Sequence, residues 1–225
     1  MLPTPIVKDI DIDNVYEPAE DSFLLLDCLE EQCHFITDRF RSRIPLVTEI
    51  GTGSGIVTTF IQQNILPQSI FITTDINPHA CKTVLQTDKA NNDKSKDTRE
   101  PYVLDSCQMN LTTGIRHGAI DMLVFNPPYV PAFELPSIPT TDEDKTWLDL
   151  ALLGGEDGMV VTWRLLNELD TILTPEIGVA YILFCARNNP KEVAKIMQEK
   201  GWDVKTIIFR KAGWEELSVL RFMRP

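Results

Sequence analysis

The chain has 225 residues, a formal net charge of −12 and 43% hydrophobic residues, enough apolar content for a buried core. That length suits one sizeable domain and is short for two, and no apolar run approaches the ~18–20 residues of a membrane span. The acidic balance argues against tight binding of bulk nucleic acid, which needs a basic face, and the densest basic group is only Arg39, Arg41 and Arg43.

Met1-Leu2-Pro3-Thr4-Pro5 lacks the basic, apolar pattern of a targeting signal. Cys28, Cys33, Cys81, Cys107 and Cys185 have no Cys-x-x-Cys spacing and read as thiols in a reducing compartment, the cytoplasm, with the nucleus as an alternative. His34, His79 and His117 form no metal-ligand cluster, so no metal is expected.

Asp21 to Glu31 reads as a helix with Phe23, Leu24, Leu25 and Leu26 packing inward, and either Asp21 or Ser22 as its N-cap. Leu46 to Ile50 is a buried strand that runs into Gly51-Thr52-Gly53-Ser54-Gly55, and Ile56 to Gln63 is the helix that follows. A strand, a glycine-rich turn and a helix together hold nucleotide-like ligands at a helix N-terminus. The dinucleotide fingerprint would need glycine where Ile56 stands. Glu49, two residues before the first glycine, would repel a pyrophosphate and attract a cation. The turn therefore suits an adenosine that carries positive charge and no phosphate, as in S-adenosylmethionine; a plain tight turn is the alternative. Ile70 to Thr74 is the next strand, closed by Asp75, where an acidic residue in such units accepts hydrogen bonds from ribose hydroxyls.

Asn77 to Ala90 reads as a helix with Pro78 in its first turn, Asn91 to Glu100 as a polar surface loop, and Pro101 to Leu104 as a short third strand. Asp121 to Phe125 is a buried strand that ends in Asn126-Pro127-Pro128-Tyr129. The prolines fix φ and lack N–H groups, which leaves the Asn126 side chain and the Pro127 carbonyl as neighbouring acceptors. Two acceptors side by side suit a planar –NH2 group with two hydrogens to donate. Asn126 capping a turn and Tyr129 serving only in packing are the alternatives. Val130 to Thr146, with Pro131, Pro136, Pro139 and acidic Asp142-Glu143-Asp144, reads as an ordered loop bordering this site. Met159 to Leu173 is amphipathic, Gly178 to Cys185 is an apolar strand and Pro190 to Lys200 is a helix. Val204 to Phe209 and Leu217 to Phe222 form a closing antiparallel pair joined by Arg210 to Glu216. Alternating strands and helices predict an α/β fold with a mostly parallel sheet covered on both faces.

Glu49-x-Gly51-x-Gly53-x-Gly55, Asp75 and Asn126-Pro-Pro-Tyr129 together resemble class I S-adenosylmethionine-dependent methyltransferases that act on amino nitrogen. Tyr16-Glu17-Pro18-Ala19-Glu20-Asp21-Ser22 and Leu152-Leu153-Gly154-Gly155-Glu156-Asp157-Gly158 narrow the match. They are similar to the eukaryotic HemK-like glutamine methyltransferases of the class 1 translation termination factor, from about Val15 to the C-terminus.

The resemblance implies a Rossmann-like, seven-stranded sheet in a single domain, with residues 1–45 as an N-terminal lid and 46–225 as the catalytic core. It implies catalysis and substrate binding at Asn126, Pro127, Pro128 and Tyr129. Cofactor contacts are implied for Tyr16, Glu20 and Ser22, for Glu49, Gly51, Gly53 and Gly55, and for Asp75, Ile76, Asn110, Leu111 and Asn126. Asn110 departs from the family, which has Asp there; its carbonyl oxygen still accepts a hydrogen bond, without the charge. The implied substrate is the glutamine of a Gly-Gly-Gln loop, and the implied product is S-adenosylhomocysteine. The implied partner is a small zinc-binding activator subunit, and Tyr102 to Leu104, at an apolar outer sheet edge, offer it a strand to pair with. Protein lysine methylation and adenine-N6 methylation of nucleic acid are the alternative activities, and a scaffold without activity is a third.

Overall fold

The computed structural model describes residues 1–92, 102–213 and 215–224. Residues 93–100, the larger part of the expected polar loop, and Pro101, the first residue of the expected third strand, lie outside them.

Helices α1 (Glu20–Glu31) and α2 (Cys33–Phe40) precede the sheet, and β1 (Leu46–Ile50), α3 (Ile56–Asn64), β2 (Ile70–Asp75), α4 (Pro78–Asn91), β3 (Val103–Gln108) and β4 (Met122–Phe125) follow. A short α5 (Asp149–Leu152), α6 (Val160–Ile172), β5 (Val179–Cys185), α7 (Pro190–Glu199), β6 (Asp203–Ala212) and β7 (Glu215–Met223) complete the chain. The seven strands form one sheet in the order β3-β2-β1-β4-β5-β7-β6. The first five strands in that order run parallel, and β7 is antiparallel to both of its neighbours. This is the class I methyltransferase architecture expected from the sequence.

Strand β5 explains why the sheet is sandwiched. All seven of its residues are buried, and successive side chains go to opposite faces. Val179, Tyr181 and Leu183 join the core beneath α1, α2 and α3, whereas Ala180, Ile182 and Phe184 join the core beneath α6 and α7. In α6, Leu165, Leu166, Leu169 and Ile172 repeat at helical spacing and supply that second core. Asn77 caps α4 by accepting from the His79 N–H at 2.9 Å, with Pro78 in the first turn.

Several local expectations change. Phe23 is 40% exposed, because the buried stripe of α1 runs through Leu24, Leu25, Cys28 and Leu29. The N-cap of α1 is Ala19 with no side-chain bond, so neither Asp21 nor Ser22 caps it. The third strand starts later and runs on to Gln108. It does form the sheet edge, but its apolar character is confined to its start: Val103 is 57% exposed, Leu104 packs against the core, and Asp105, Ser106 and Gln108 follow. The Tyr102 hydroxyl donates to Asp88 at 2.6 Å. The closing hairpin is also longer than expected, pairing as far as Ala212 with Glu215.

Gly55 sits at the start of α3 with φ +77°, and a Cβ there would lie 2.7 Å from the Val84 backbone of α4. Gly55→Ala is therefore expected to cost about 2–4 kcal/mol, from left-handed strain plus overpacking. Scanning calorimetry should register a melting temperature lowered by about 5–15 °C; an unchanged melting temperature would show that α4 does not depend on this contact.

Candidate active site

The ends of β1, β2, β3 and β4 open into a cavity of about 260 Å³. It lies where the strand order reverses between β1 and β4, the usual ligand crevice of a parallel sheet. Of the residues expected at the site, Tyr16, Ser22, Glu49, Gly51, Gly53, Asp75, Ile76, Asn110, Leu111, Asn126, Pro127, Pro128 and Tyr129 all line it. Glu20 and Gly55 do not. Glu20 opens α1 on its exposed side, and Gly55 serves the packing of α3 on α4. The loop after Tyr129 borders the cavity as expected, through Leu135, Pro136 and Ile138.

Two buried carboxylates form one wall. Glu49 Oε2 accepts from the Thr58 N–H and the Thr52 hydroxyl, each at 3.1 Å, and from the Thr58 hydroxyl. No protein donor reaches Oε1 among the described residues. Burial pushes the Glu49 pKa up to about 7, the threonine hydrogen bonds oppose the rise, and the Asp75 charge adds to it. Asp75 accepts from the Gly53 N–H at 3.2 Å and from the Asn77 N–H at 2.9 Å, and burial raises its pKa to about 6. Neither carboxylate has an ion-pair partner among the described residues. A phosphate would be repelled here, whereas a cation would favour ionised Glu49 and a ribose could donate to Asp75. This donor and acceptor set fits S-adenosylmethionine.

The glycine turn keeps that wall open. The N–H groups of Gly51 and Thr52 donate to the Thr74 carbonyl at 2.7 and 3.3 Å, tying the turn to the end of β2. Beyond Asp75, the Met109 N–H donates to the Asp75 carbonyl at 2.9 Å, which brings Asn110 and Leu111 to the rim. Leu111 is held at φ +52°, a left-handed conformation that is strained for a branched side chain. The Asn110 side chain makes no protein hydrogen bond among the described residues.

The opposite wall is Asn126 to Tyr129. Asn126 Nδ2 donates to Asp21 Oδ2 at 2.9 Å, and Asn126 Oδ1 is buried without a partner among the described residues. A carboxylate accepts and cannot donate, so this bond fixes which end of the amide faces Asp21. The Tyr129 hydroxyl also reaches Asp21 at 3.4 Å, and the Tyr16 hydroxyl reaches it at 3.5 Å, both long. Burial, with the Asp21 charge second, pushes the Tyr16 pKa up to about 12 and raises Tyr129 further, so both phenols stay protonated. The Pro127 carbonyl accepts no hydrogen bond among the described residues.

The Leu152 to Gly158 segment buttresses this wall from behind. The Val130 N–H donates to the Leu152 carbonyl at 3.0 Å, and the Gly154 N–H donates to the Val130 carbonyl at 2.8 Å. A Cβ on Gly154 would lie 2.1 Å from the Pro128 carbonyl oxygen, and one on Gly158 would lie 2.0 Å from that of Tyr129. Buried Asn188 donates to the Tyr129 and Asp157 carbonyls at 3.0 and 2.9 Å and accepts from the Cys185 N–H at 2.8 Å.

Sequence reasoning missed Asp21, whose carboxylate gathers Tyr16, Ser22, Asn126 and Tyr129. The only available signal was its place in the Tyr16 to Ser22 segment. Trp147, buried and lining the cavity, was missed as well.

No model of a known protein family matches the sequence. It is 37% identical over 230 residues to the eRF1 methyltransferase catalytic subunit mtq2 of Schizosaccharomyces pombe, covering 100% of this chain and 96% of that protein. It is 36% identical over 211 residues to methyltransferase HEMK2 of Homo sapiens, covering 94% of this chain and 90% of that protein. Among solved structures, the E. cuniculi Mtq2-Trm112 complex, described as responsible for methylation of the eRF1 translation termination factor, matches with a TM-score of 0.63. That match has 24% identity and covers 94% of this chain and 99% of that chain. With this sheet order, this cavity and these relatives, the chain belongs to the eukaryotic HemK-like family of class I methyltransferases.

Proposed function

We propose that this chain transfers a methyl group from S-adenosylmethionine to the side-chain amide nitrogen of the glutamine in the Gly-Gly-Gln loop of a class 1 release factor, leaving S-adenosylhomocysteine. The observation that carries the reading is Asn126 Oδ1, a buried acceptor whose orientation Asp21 fixes and which no group among the described residues satisfies. A buried polar atom left unpaired costs free energy, and a substrate N–H would satisfy it. The names of the relatives supply the release factor; the pocket chemistry supplies the nitrogen.

When bound, S-adenosylmethionine supplies an electrophilic methyl on a sulfonium. An amide nitrogen is a poor nucleophile because its lone pair is delocalised into the carbonyl. Asn126 Oδ1 and the Pro127 carbonyl would accept its two hydrogens and turn the lone pair toward the methyl; orientation of this kind contributes several kcal/mol. Both acceptors, with the Asp21 charge behind Asn126, stabilise positive charge that grows on nitrogen, and after transfer the nitrogen gives up one proton to water or to Asn126 Oδ1. Tyr129 covers a face of the planar amide. Tyr16, Ser22, Gly51, Gly53, Ile76, Asn110 and Leu111 would surround the cofactor, with Asp75 on the ribose. A lysine substrate must first lose a proton, and no His or Lys lines the cavity among the described residues.

A second part of the proposal is that a small zinc-binding activator adds to the edge of β3, covering Val103; the structural relative, solved as a complex, supports a partner, and the exposed Val103 at the sheet edge supports its place. We also assign the chain to the cytoplasm, where its substrate acts.

Three outcomes test this reading. Mass spectrometry of a release factor incubated with the chain, its activator and labelled cofactor should find one methyl on the Gly-Gly-Gln glutamine; a label elsewhere, or none, refutes the assignment. Asn126→Ala should lower turnover about a hundredfold or more, the scale for losing one preorganised polar group, while calorimetric cofactor affinity is largely kept. Near-normal turnover would remove Asn126 from the chemistry.

The third outcome concerns pH. Because the folded state raises the Glu49 pKa from 4.5 to about 7, it binds more protons than the unfolded chain in that window. Stability from this group is therefore greatest at low pH and is lost as pH rises to 7, by about 3 kcal/mol. Glu49→Gln should accordingly raise the melting temperature of the ligand-free protein at pH 8 and little at pH 5. It should also weaken cofactor binding, which in the parent chain strengthens as pH rises through 7. Equal melting curves of both proteins at pH 8 would contradict this account.

A further inference from the structure

Arg221 of β7 is buried with no carboxylate within 4.0 Å among the described residues. It is 7% exposed and is the one arginine buried among the described residues. Its Nη1 donates to Gln32 Oε1 at 2.9 Å, and its guanidinium lies 4.2 Å from the Phe35 ring centroid, beside the Tyr181 phenol. These neighbours are all neutral. Its Nε is buried with no hydrogen-bond partner among the described residues. No carboxylate comes within 4.0 Å of it among the described residues, whereas Arg41, Arg43, Arg210 and Arg224 each have one. In a chain with 33 acidic and 21 basic residues, the most buried arginine among the described residues has no carboxylate within reach.

A second guanidinium shares the Phe35 ring. Arg39 lies 5.7 Å from the same centroid, so the two charges are within about 10 Å of each other. Among the described residues Arg39 donates to the Ile177 and Glu176 carbonyls alone, at 2.7 and 3.0 Å. Burial lowers its pKa, Tyr181 opposes that shift, and the Arg221 charge adds to it. Lys205 stands directly opposite Arg221 across the β6–β7 pair and therefore on the same face; its acidic neighbour Asp203 is 3.8 Å away. Like charges gathered in a partly dry site call for an anion.

We infer that Arg221, Arg39 and Lys205 form an oxyanion site between the α1–α2 junction and the sheet, at the end of β5 remote from the catalytic cavity. The Nε edge of a guanidinium presents parallel N–H groups, which match two oxygens on one centre. The ligand is therefore a phosphate or carboxylate group rather than a halide.

The test uses the whole chain with S-adenosylhomocysteine in saturating amount, so that the catalytic cavity cannot contribute. Inorganic phosphate and acetate are titrated at constant ionic strength made up with chloride, and thermal unfolding and calorimetry are read. At least one of the two should stabilise the parent chain saturably, and the stronger one identifies the group. Arg39→Gln and Arg221→Gln should each weaken that binding roughly tenfold or more. Arg39 is partly exposed, so its variant decides the matter if Arg221→Gln does not fold. No saturable effect beyond chloride, or an undiminished effect in Arg39→Gln, would overturn the inference and leave Arg221 satisfied by its neutral contacts.

Discussion

The hydrogen bond from Asn126 to Asp21 is the constraint on which the rest of the site depends. An amide side chain has a donor end and an acceptor end of nearly equal size. Packing alone cannot choose between them, but an ionised carboxylate can. By taking Nδ2, Asp21 leaves Oδ1 as the acceptor. The same carboxylate receives two tyrosine hydroxyls and the Ser22 N–H, the last at 2.7 Å. It therefore joins the segment before the sheet to the platform after β4. The N-terminal segment thus completes the Asn126 wall of the cavity as well as covering it.

The cofactor wall follows a different logic. Glu49 and Asp75 are buried without cations, and their raised pKa values record the cost of that burial. The fold tolerates the cost because threonine hydroxyls and backbone N–H groups offset part of it. What remains is available to a positively charged ligand, which lowers its own binding free energy by relieving it. Stability and affinity are thus opposed at Glu49, as expected where a site is kept in a state that suits its ligand better than itself.

Much of this arrangement is legible in the sequence. β1, β4 and β5 are announced by apolar runs, and the glycine turn, Asp75 and Asn126 fall at strand ends because chemistry there interrupts the hydrophobic pattern. The missed features share a physical cause: they depend on partners distant in sequence. Asp21 looks like a helix cap because its partner Asn126 is 105 residues away. Gly55 looks like part of a ligand loop because Val84, which excludes a side chain there, lies on another helix. The extensions of β3 and of the closing hairpin are polar at the sheet edges, where backbone pairing needs no hydrophobic alternation. Helix α2 escaped notice because only Ile36 and Phe40 of its eight residues are buried.

The glycine buttress has a mechanical consequence. Between the Asn126 platform and the segment behind it, the Gly154 contact is main chain against main chain, and at Gly158 the glycine meets the Tyr129 main chain beside the buried, hydrogen-bonded Asn188 amide. Side chains hop between rotamers on fast timescales and pass that motion to whatever rests on them. A contact with no rotatable group has no such freedom to transmit. The platform is therefore braced largely by main chain, with few rotatable groups behind it, and the reaction proposed above would need a platform held that closely.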